Sequence, residues 1–354
     1  MQRGLRAPRP LDKGEQSEHM DAYAAKQQVI DAGHELVKRG LIVRTWGNIS
    51  CRIDERHFAV TPSGMGYDRL TPADIVTVDC HTLEAAGARK PSGETGIHAA
   101  VYRLRPGANF AIHTHQDAAS AVSVAGYDRL APAGDERLVL GGCGSVPRAA
   151  YGLPCSTSLC RRVTRVLSGT HANVLFMARH GILALGSDRS EAFLRAETVE
   201  NMCARVLAPV PQRPGRAFDP QRMIAAIQAA RPELACVRFV GDPAILWRAG
   251  SMRRLVPMLD DFAQLIGTDI ACISPNQPEA AASAIDGRNA VLIHGCGALV
   301  AAGEASDVQA IHYLLNKECL TECNAAAYGG AKPLPVADRQ TMRGVYVNSY
   351  SKLK

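Results

Sequence analysis

Between Ala208 and Phe218 the chain carries Pro209, Pro211, Pro214 and Gly215, and no regular element can run through that stretch. Each proline lacks a backbone N–H, and its ring obstructs both a helix interior and a central strand. The length allows one large or two moderate domains, and this stretch is the best linker in the chain. Roughly 190 ordered residues precede the break and roughly 135 follow it, and either length can bury a core of its own. The expected organisation is a larger domain over residues 20–207, a linker over 208–218 and a smaller α/β domain over 219–354. Residues 1–19, rich in Arg, Pro, Gly and Glu without periodicity, read as a disordered leader.

In the larger part, short apolar runs alternate with helical patterns. Tyr23, Val29, Ile30, Leu36 and Val37 fall near one helical face after Met20, and Gly40 stands where a C-cap belongs. Strands are expected around Asn48–Ile53, Phe58–Thr61 and Ile75–Val78, between Gly and Pro turns. Ser92 is placed to cap a helix running through Glu94 and His98 to Arg105, stopped by Pro106 and Gly107. A strand at Phe110–His115 and helices at 118–124 and 158–167 follow. Strands at 173–177 and 182–185 then flank a turn at Arg179 and His180, and a helix spans 191–206.

Charge and composition exclude several classes. The net charge of +6, from 40 Lys and Arg against 34 Asp and Glu, is spread without a dense basic block, and aromatics are only 5%. Nucleic acid is therefore not expected as a partner, since it needs basic patches and stacking platforms. No apolar run approaches the roughly 18 residues of a membrane span. Eleven cysteines, an odd number, are scattered from Cys51 to Cys323 without a CxxC pair, which favours reduced thiols in a cytoplasmic protein.

Chemistry concentrates at His113-Thr114-His115, at the end of a strand pattern. Side chains at i and i+2 of a strand share a face, so both imidazoles would project together and could hold one divalent metal. Histidine pairs also occur simply packed or solvent-facing. His180, in a turn and followed by Gly181, is a suitable third ligand. Glu94, in Pro91-Ser92-Gly93-Glu94 at a helix start, would ordinarily be explained by the helix dipole. Beside a metal it could instead take and return a proton. The turns Gly47-Asn48 and Thr61-Pro62-Ser63-Gly64 offer backbone N–H groups to an anion.

Taken together, Trp46-Gly-Asn-Ile-Ser50, Val60-Thr-Pro-Ser-Gly64, Pro91-Ser-Gly-Glu94 with His98, His113-Thr-His115 and His180-Gly181 resemble the class II aldolase/adducin family over about residues 22–207. The resemblance implies a three-layer α/β/α fold with a mainly antiparallel central sheet. It implies one divalent ion, zinc first and manganese or cobalt as substitutes, on His113, His115 and His180. Glu94 takes the place of the catalytic acid/base, and Asn48, Ser63, Gly64 and Ser92 fall where the family holds a substrate phosphate. The implied activity is retro-aldol cleavage of a ketose or ketose phosphate through an enediolate. A decarboxylase or epimerase on the same scaffold, or a non-catalytic adducin-like module, are the alternatives. A small-molecule sugar or sugar phosphate is the expected partner, in a homo-oligomer.

Two departures stand out. Many relatives have a second serine where this chain has Gly93, and the tyrosine that sugar-phosphate aldolases take from a neighbouring subunit falls near Glu136. Tyr346 and Tyr350 are candidate replacements. In the second part, Ala290–Gly303 aligns with Asn173–Gly186 at a constant offset of 117, which sets Gly297 opposite His180. Val237–Gly241 sits about where the HxH strand would recur and has no histidine. The second domain is accordingly expected to be a degenerate, non-catalytic half-repeat.

Overall fold

The computed structural model describes residues 20–42 and 46–349; the leader and Tyr350 lie outside them. The described residues divide into two compact units, one of residues 20–42, 46–123 and Tyr127–Val206, the other of Val124–Gly126 and residues 207–349. No helix or strand spans 208–220.

The first unit begins with α1 (Ala22–Lys38), β1 (Gly47–Arg52), β2 (His57–Val60), β3 (Val76–Asp79), β4 (Ala85–Ala86), α2 (Thr95–Leu104) and β5 (Phe110–Thr114). It continues with α3 (Asp117–Val124), α4 (Asp135–Val139), β6 (Arg148–Ala149), α5 (Thr157–Gly169), β7 (Val174–Met177), β8 (Gly181–Gly186) and α6 (Arg189–Val206). Its eight strands form one sheet in the order β4-β3-β2-β1-β5-β8-β7-β6. Every pairing is antiparallel except β6 with β7.

Helices cover both faces, giving the three-layer α/β/α arrangement. α1 packs on β1 and β2, and α6 on β5 and β8. On the other face Ile97, Val101, Leu159 and Val163 of α2 and α5 join Phe58, Val60, Val78, Ala111, Leu183 and Leu185 in one buried cluster. Burying each such large side chain contributes about 1.5–3 kcal/mol, so the sheet is held firmly where the site is built. α1 starts with Asp21 accepting the Ala24 N–H and ends before Gly40, whose φ of 69° is the left-handed conformation of a helix stop. The expected Ser92 cap is shifted: Glu94 occupies the cap position of α2, and the Ser92 hydroxyl accepts the Glu94 N–H two residues earlier.

The second unit contains α7 (Gln221–Ala230), β9 (Cys236–Val240), α8 (Pro243–Ala249), α9 (Asp260–Leu265), β10 (Cys272–Ile273) and α10 (Pro278–Ala284). It ends with β11 (Ala290–Ile293), β12 (Gly297–Ala302), α11 (Ala305–Ala327) and α12 (Val336–Asn348). Its sheet runs β10-β11-β12-β9. Element for element, α7 to α11 repeat the succession α2-β5-α3-α4-β6-α5-β7-β8-α6, and the sheet order repeats β6-β7-β8-β5, again with one parallel pair at the same edge.

The hairpins also fix the register, and here the sequence alignment needs correcting. β7 and β8 close with Met177 opposite Gly181, whereas β11 and β12 close with Ile293 opposite Gly297. Arg179 and Gly295 both have positive φ, 66° and 72°, in the matching turn positions. The residue opposite His180 is therefore Cys296, one position before the expected Gly297. β12 pairs Leu299 with Phe239, as β8 pairs Leu183 with His113, so Phe239 stands at the place of His113.

Candidate metal centre

Three periodicities bring the site together on one sheet face. β1 and β5 are antiparallel neighbours with Asn48 opposite His113 and Ser50 opposite Ala111, and directly paired residues project to the same side. α2 covers that side. Glu94, His98 and Tyr102 are spaced four residues apart at its start and along it, and so form one stripe. The β7–β8 turn supplies His180. Gly181 beside it has no alternative, because an added Cβ would lie 2.1 Å from the Thr114 carbonyl oxygen.

His113, His115 and His180 are all buried, and their ligand atoms lie within 4.8 Å of one another. His113 Nδ1 is 2.8 Å from the Ile182 carbonyl oxygen. A carbonyl only accepts, so Nδ1 carries the proton and Nε2 presents a lone pair. That Nε2 is 2.9 Å from His115 Nε2. Glu94 Oε1 lies 2.9 Å from His180 Nε2, and Oε2 lies 3.4 Å from His113 Nε2. Converging imidazole nitrogens with a carboxylate alongside are a donor set suited to a divalent ion once their ring protons are displaced, and the residues present fit one. Among the described residues this is the one cluster of three or more His, Cys, Asp or Glu able to hold a metal.

Burial pushes His113 down to about 3, assisted by His180 and His115 against the pull of Glu94, so its ring is neutral as a ligand must be. For Glu94, burial opposes ionisation, but His180 and His113, with hydrogen bonds from His180 and Asn48, outweigh it and hold the carboxyl well below the usual range. Its side chain makes no cap bond to the helix it starts; it is turned to the histidines instead.

The expected anion-binding residues divide. Asn48 is drawn into the cluster, its Nδ2 donating to Glu94 Oε2 at 3.0 Å. Ser63 and Ser92 lie on two turns that pair main chain to main chain, with Ser63 N–H on the Lys90 carbonyl and Ser92 N–H on the Thr61 carbonyl. Gly64 has φ of 75°. An added Cβ on Gly93 would come 2.6 Å from Cys155 Sγ, so a thiol fills the space a side chain there would take. Glu136 pairs with Arg205 and accepts the Ala133 N–H. Tyr346 lies on α12, with the Arg343 guanidinium 5.9 Å from its ring.

Sequence reasoning missed Ser50 and Tyr102. Ser50 Oγ bridges His98 Nδ1 at 2.6 Å and the Tyr102 hydroxyl at 2.7 Å. The available signal was the polar stripe at every fourth residue of an otherwise apolar helix, facing Asn48 and Ser50 two apart on a strand.

An antiparallel sheet between helical layers, with a buried three-histidine cluster and a carboxylate on one face, defines an α/β protein with a candidate metal site. Residues 27–207 match the family described as Class II Aldolase and Adducin N-terminal domain, and the chain belongs to that family. The L-fuculose phosphate aldolase of Escherichia coli (strain K12) is 32% identical over 181 residues, covering 51% of this chain and 81% of that protein. The L-ribulose-5-phosphate 4-epimerase UlaF of Salmonella paratyphi C is 39% identical over 102 residues, 28% of this chain and 45% of that one. A solved L-fuculose 1-phosphate aldolase superposes with a TM-score of 0.48 at 27% identity, covering 53% of this chain and 87% of the other. Among the described residues no helix is long and apolar enough to cross a membrane.

Proposed function

We propose that the first unit is a metal-dependent lyase that cleaves a carbon–carbon bond of a ketose or ketose phosphate by retro-aldol chemistry. The observation that carries this reading is the meeting of His113, His115 and His180 beside Glu94 on one buried sheet face. The three imidazoles would hold one divalent ion, zinc by preference, with manganese or cobalt able to substitute. When bound, it supplies Lewis acidity toward a substrate carbonyl. The chain's own residues do the rest. Glu94, kept ionised by its neighbours, carries a proton between the substrate carbon and the adjacent oxygens. Ser63, Gly64 and Ser92 hold the far end of the substrate on the paired turns, through the serine hydroxyls and the Gly64 N–H, with Asn48 reaching in from β1 beside Glu94. The Gly93–Cys155 contact narrows this cup by one hydroxyl, so sugars with and without phosphate are both substrates to try.

A second reading, epimerisation or decarboxylation on the same residues, is favoured by the 39% identity to a sugar-phosphate epimerase. Both reactions develop the same negative charge next to a carbonyl. The second unit we infer to be a degenerate, non-catalytic copy joined through residues 208–218, since Phe239 and Cys296 stand where the first unit has His113 and His180. A cytoplasmic homo-oligomer is the setting we expect.

A screen of ketose phosphates, free ketoses and hydroxy-keto acids with zinc-loaded protein tests the reading, with Glu94→Gln as control. Two carbonyl fragments support the lyase. Carbon dioxide or an isomeric sugar would shift the assignment to the second reading. No metal uptake at all would leave an adducin-like binding module.

A further inference from the structure

We propose that His98, backed by Ser50 and Tyr102, is a positioning residue that fixes the Asn48 side-chain amide so that one of its N–H bonds is aimed at Glu94. The inference deepens the reading of Glu94 as the acid/base and rests on it. Four contacts form an unbroken chain. Asn48 Nδ2 is 3.0 Å from Glu94 Oε2, His98 Nε2 is 2.5 Å from Asn48 Oδ1, and Ser50 Oγ is 2.6 Å from His98 Nδ1 and 2.7 Å from the Tyr102 hydroxyl. All five side chains are buried, His98 and Ser50 completely.

The polarity of the chain follows from the Asn48 amide. Its Nδ2 only donates and its Oδ1 only accepts, and these face Glu94 Oε2 and His98 Nε2 respectively. His98 must then carry its proton on Nε2 and accept at Nδ1. Ser50 must donate to Nδ1 and accept from Tyr102. Every donor meets an acceptor in one direction only. Burial and the nearby His113 push His98 down to about 3, so the ring stays neutral, with the one proton this arrangement needs. Arg52 anchors the far end, donating to the Tyr102 carbonyl oxygen and lying over the Tyr102 ring.

Held this way, Asn48 cannot rotate its amide without placing a carbonyl oxygen against the Glu94 carboxylate. Glu94 Oε2 is thereby kept as an acceptor, and the other oxygen, Oε1, is the one turned to His180.

The test uses the full-length, isotope-labelled protein, metal-free and loaded with zinc alone. Long-range proton–nitrogen correlations report the His98 tautomer, and solvent exchange reports the Asn48 side-chain amide. The expected tautomer has the proton on Nε2. His98→Phe should raise Asn48 amide exchange about tenfold, the scale of one lost hydrogen bond. His98→Gln, which can donate from the same place, should stay close to the parent, and zinc stoichiometry should be unchanged in each variant. Ser50→Ala, which leaves the fully buried ring in place, is the second variant; it should mix the two His98 tautomers and raise the same exchange. A proton on Nδ1 in the parent, or equal exchange in all variants, would overturn the proposal. Once a substrate is found, His98→Phe should lower kcat about tenfold at unchanged KM, with recovery in His98→Gln. Absence of turnover in the parent would sink the lyase reading while leaving the tautomer and exchange results to decide the relay.

Discussion

Each unit buries a glutamate, and the two sit in opposite surroundings. Glu94 in the first unit faces His180, His113 and the Asn48 amide, which hold it well below the usual carboxylate range. Glu318 in the second unit lies on α11, where it accepts the backbone N–H groups of Met258 and Leu259 at the start of α9. Burial pushes it up to about 8, against those two hydrogen bonds and with Glu322 and Asp261 adding to the shift. One element succession thus carries a buried carboxylate among imidazoles and another that ties down the chain entering a helix. The difference lies in the neighbours: imidazoles gather around the first, carboxylates around the second.

The sharpest way to break this contrast is metal content. His180→Ala should reduce bound zinc from one per chain to near none, measured by elemental analysis after dialysis, while Cys296→Ala should leave it unchanged. Zinc that survived the first substitution and vanished with the second would place a ligand set in the second hairpin. Next in size, Glu94→Gln should lower turnover about a thousandfold with metal retained, within the range of lost acid–base catalysis. Glu318→Gln should leave turnover within a few-fold of the parent.

On stability the order reverses. Lys317 and Asp261 form a buried ion pair in the second unit, with side chains 1% and 2% exposed. Lys317→Met should cost about 3–5 kcal/mol in denaturant unfolding by taking the cation from a buried carboxylate, and adding Asp261→Leu should recover most of it. The pH dependence should have opposite signs in the two units. Glu318, raised from 4.5 to about 8 in the folded state, binds a proton more tightly there than when unfolded. Its contribution is therefore full at acid pH and is lost as pH rises toward 8, and Glu318→Gln should flatten that slope. Glu94, depressed in the metal-free fold, contributes above its ordinary value of 4.5 and loses that contribution as pH falls below it. The smallest effect is expected for the exposed Arg205–Glu136 pair of the first unit, where Arg205→Ala should change stability by less than about 1 kcal/mol.

Much of the first unit was readable in the chain because its signals are local. The HxH spacing placed His113 and His115 on one side of a strand, and His180 before Gly181 in a turn stood out as a third ligand. The repeat was visible only as two apolar hairpins, and its alignment slipped by one residue. Apolar runs tolerate such a shift, whereas the turn positions Arg179 and Gly295 and the strand pairing do not. The Ser92 cap slipped for a similar reason, since the polar residues around the start of α2 offer several capping choices and the histidines had already claimed the Glu94 carboxylate.

The sequence by itself determined the break at 208–218, the alternation of short strands and helices, and the residues with chemical capacity, because strand and helix periods depend only on neighbours along the chain. Only the tertiary structure decided that Asn48 meets Glu94 across 46 residues and His180 meets it across 86. It also decided that a thiol fills the space beside Gly93 and that one buried glutamate is acidic and the other is not. Those outcomes depend on which donors and charges the folded chain brings within a few ångströms in the absence of water, and no local pattern carries that information.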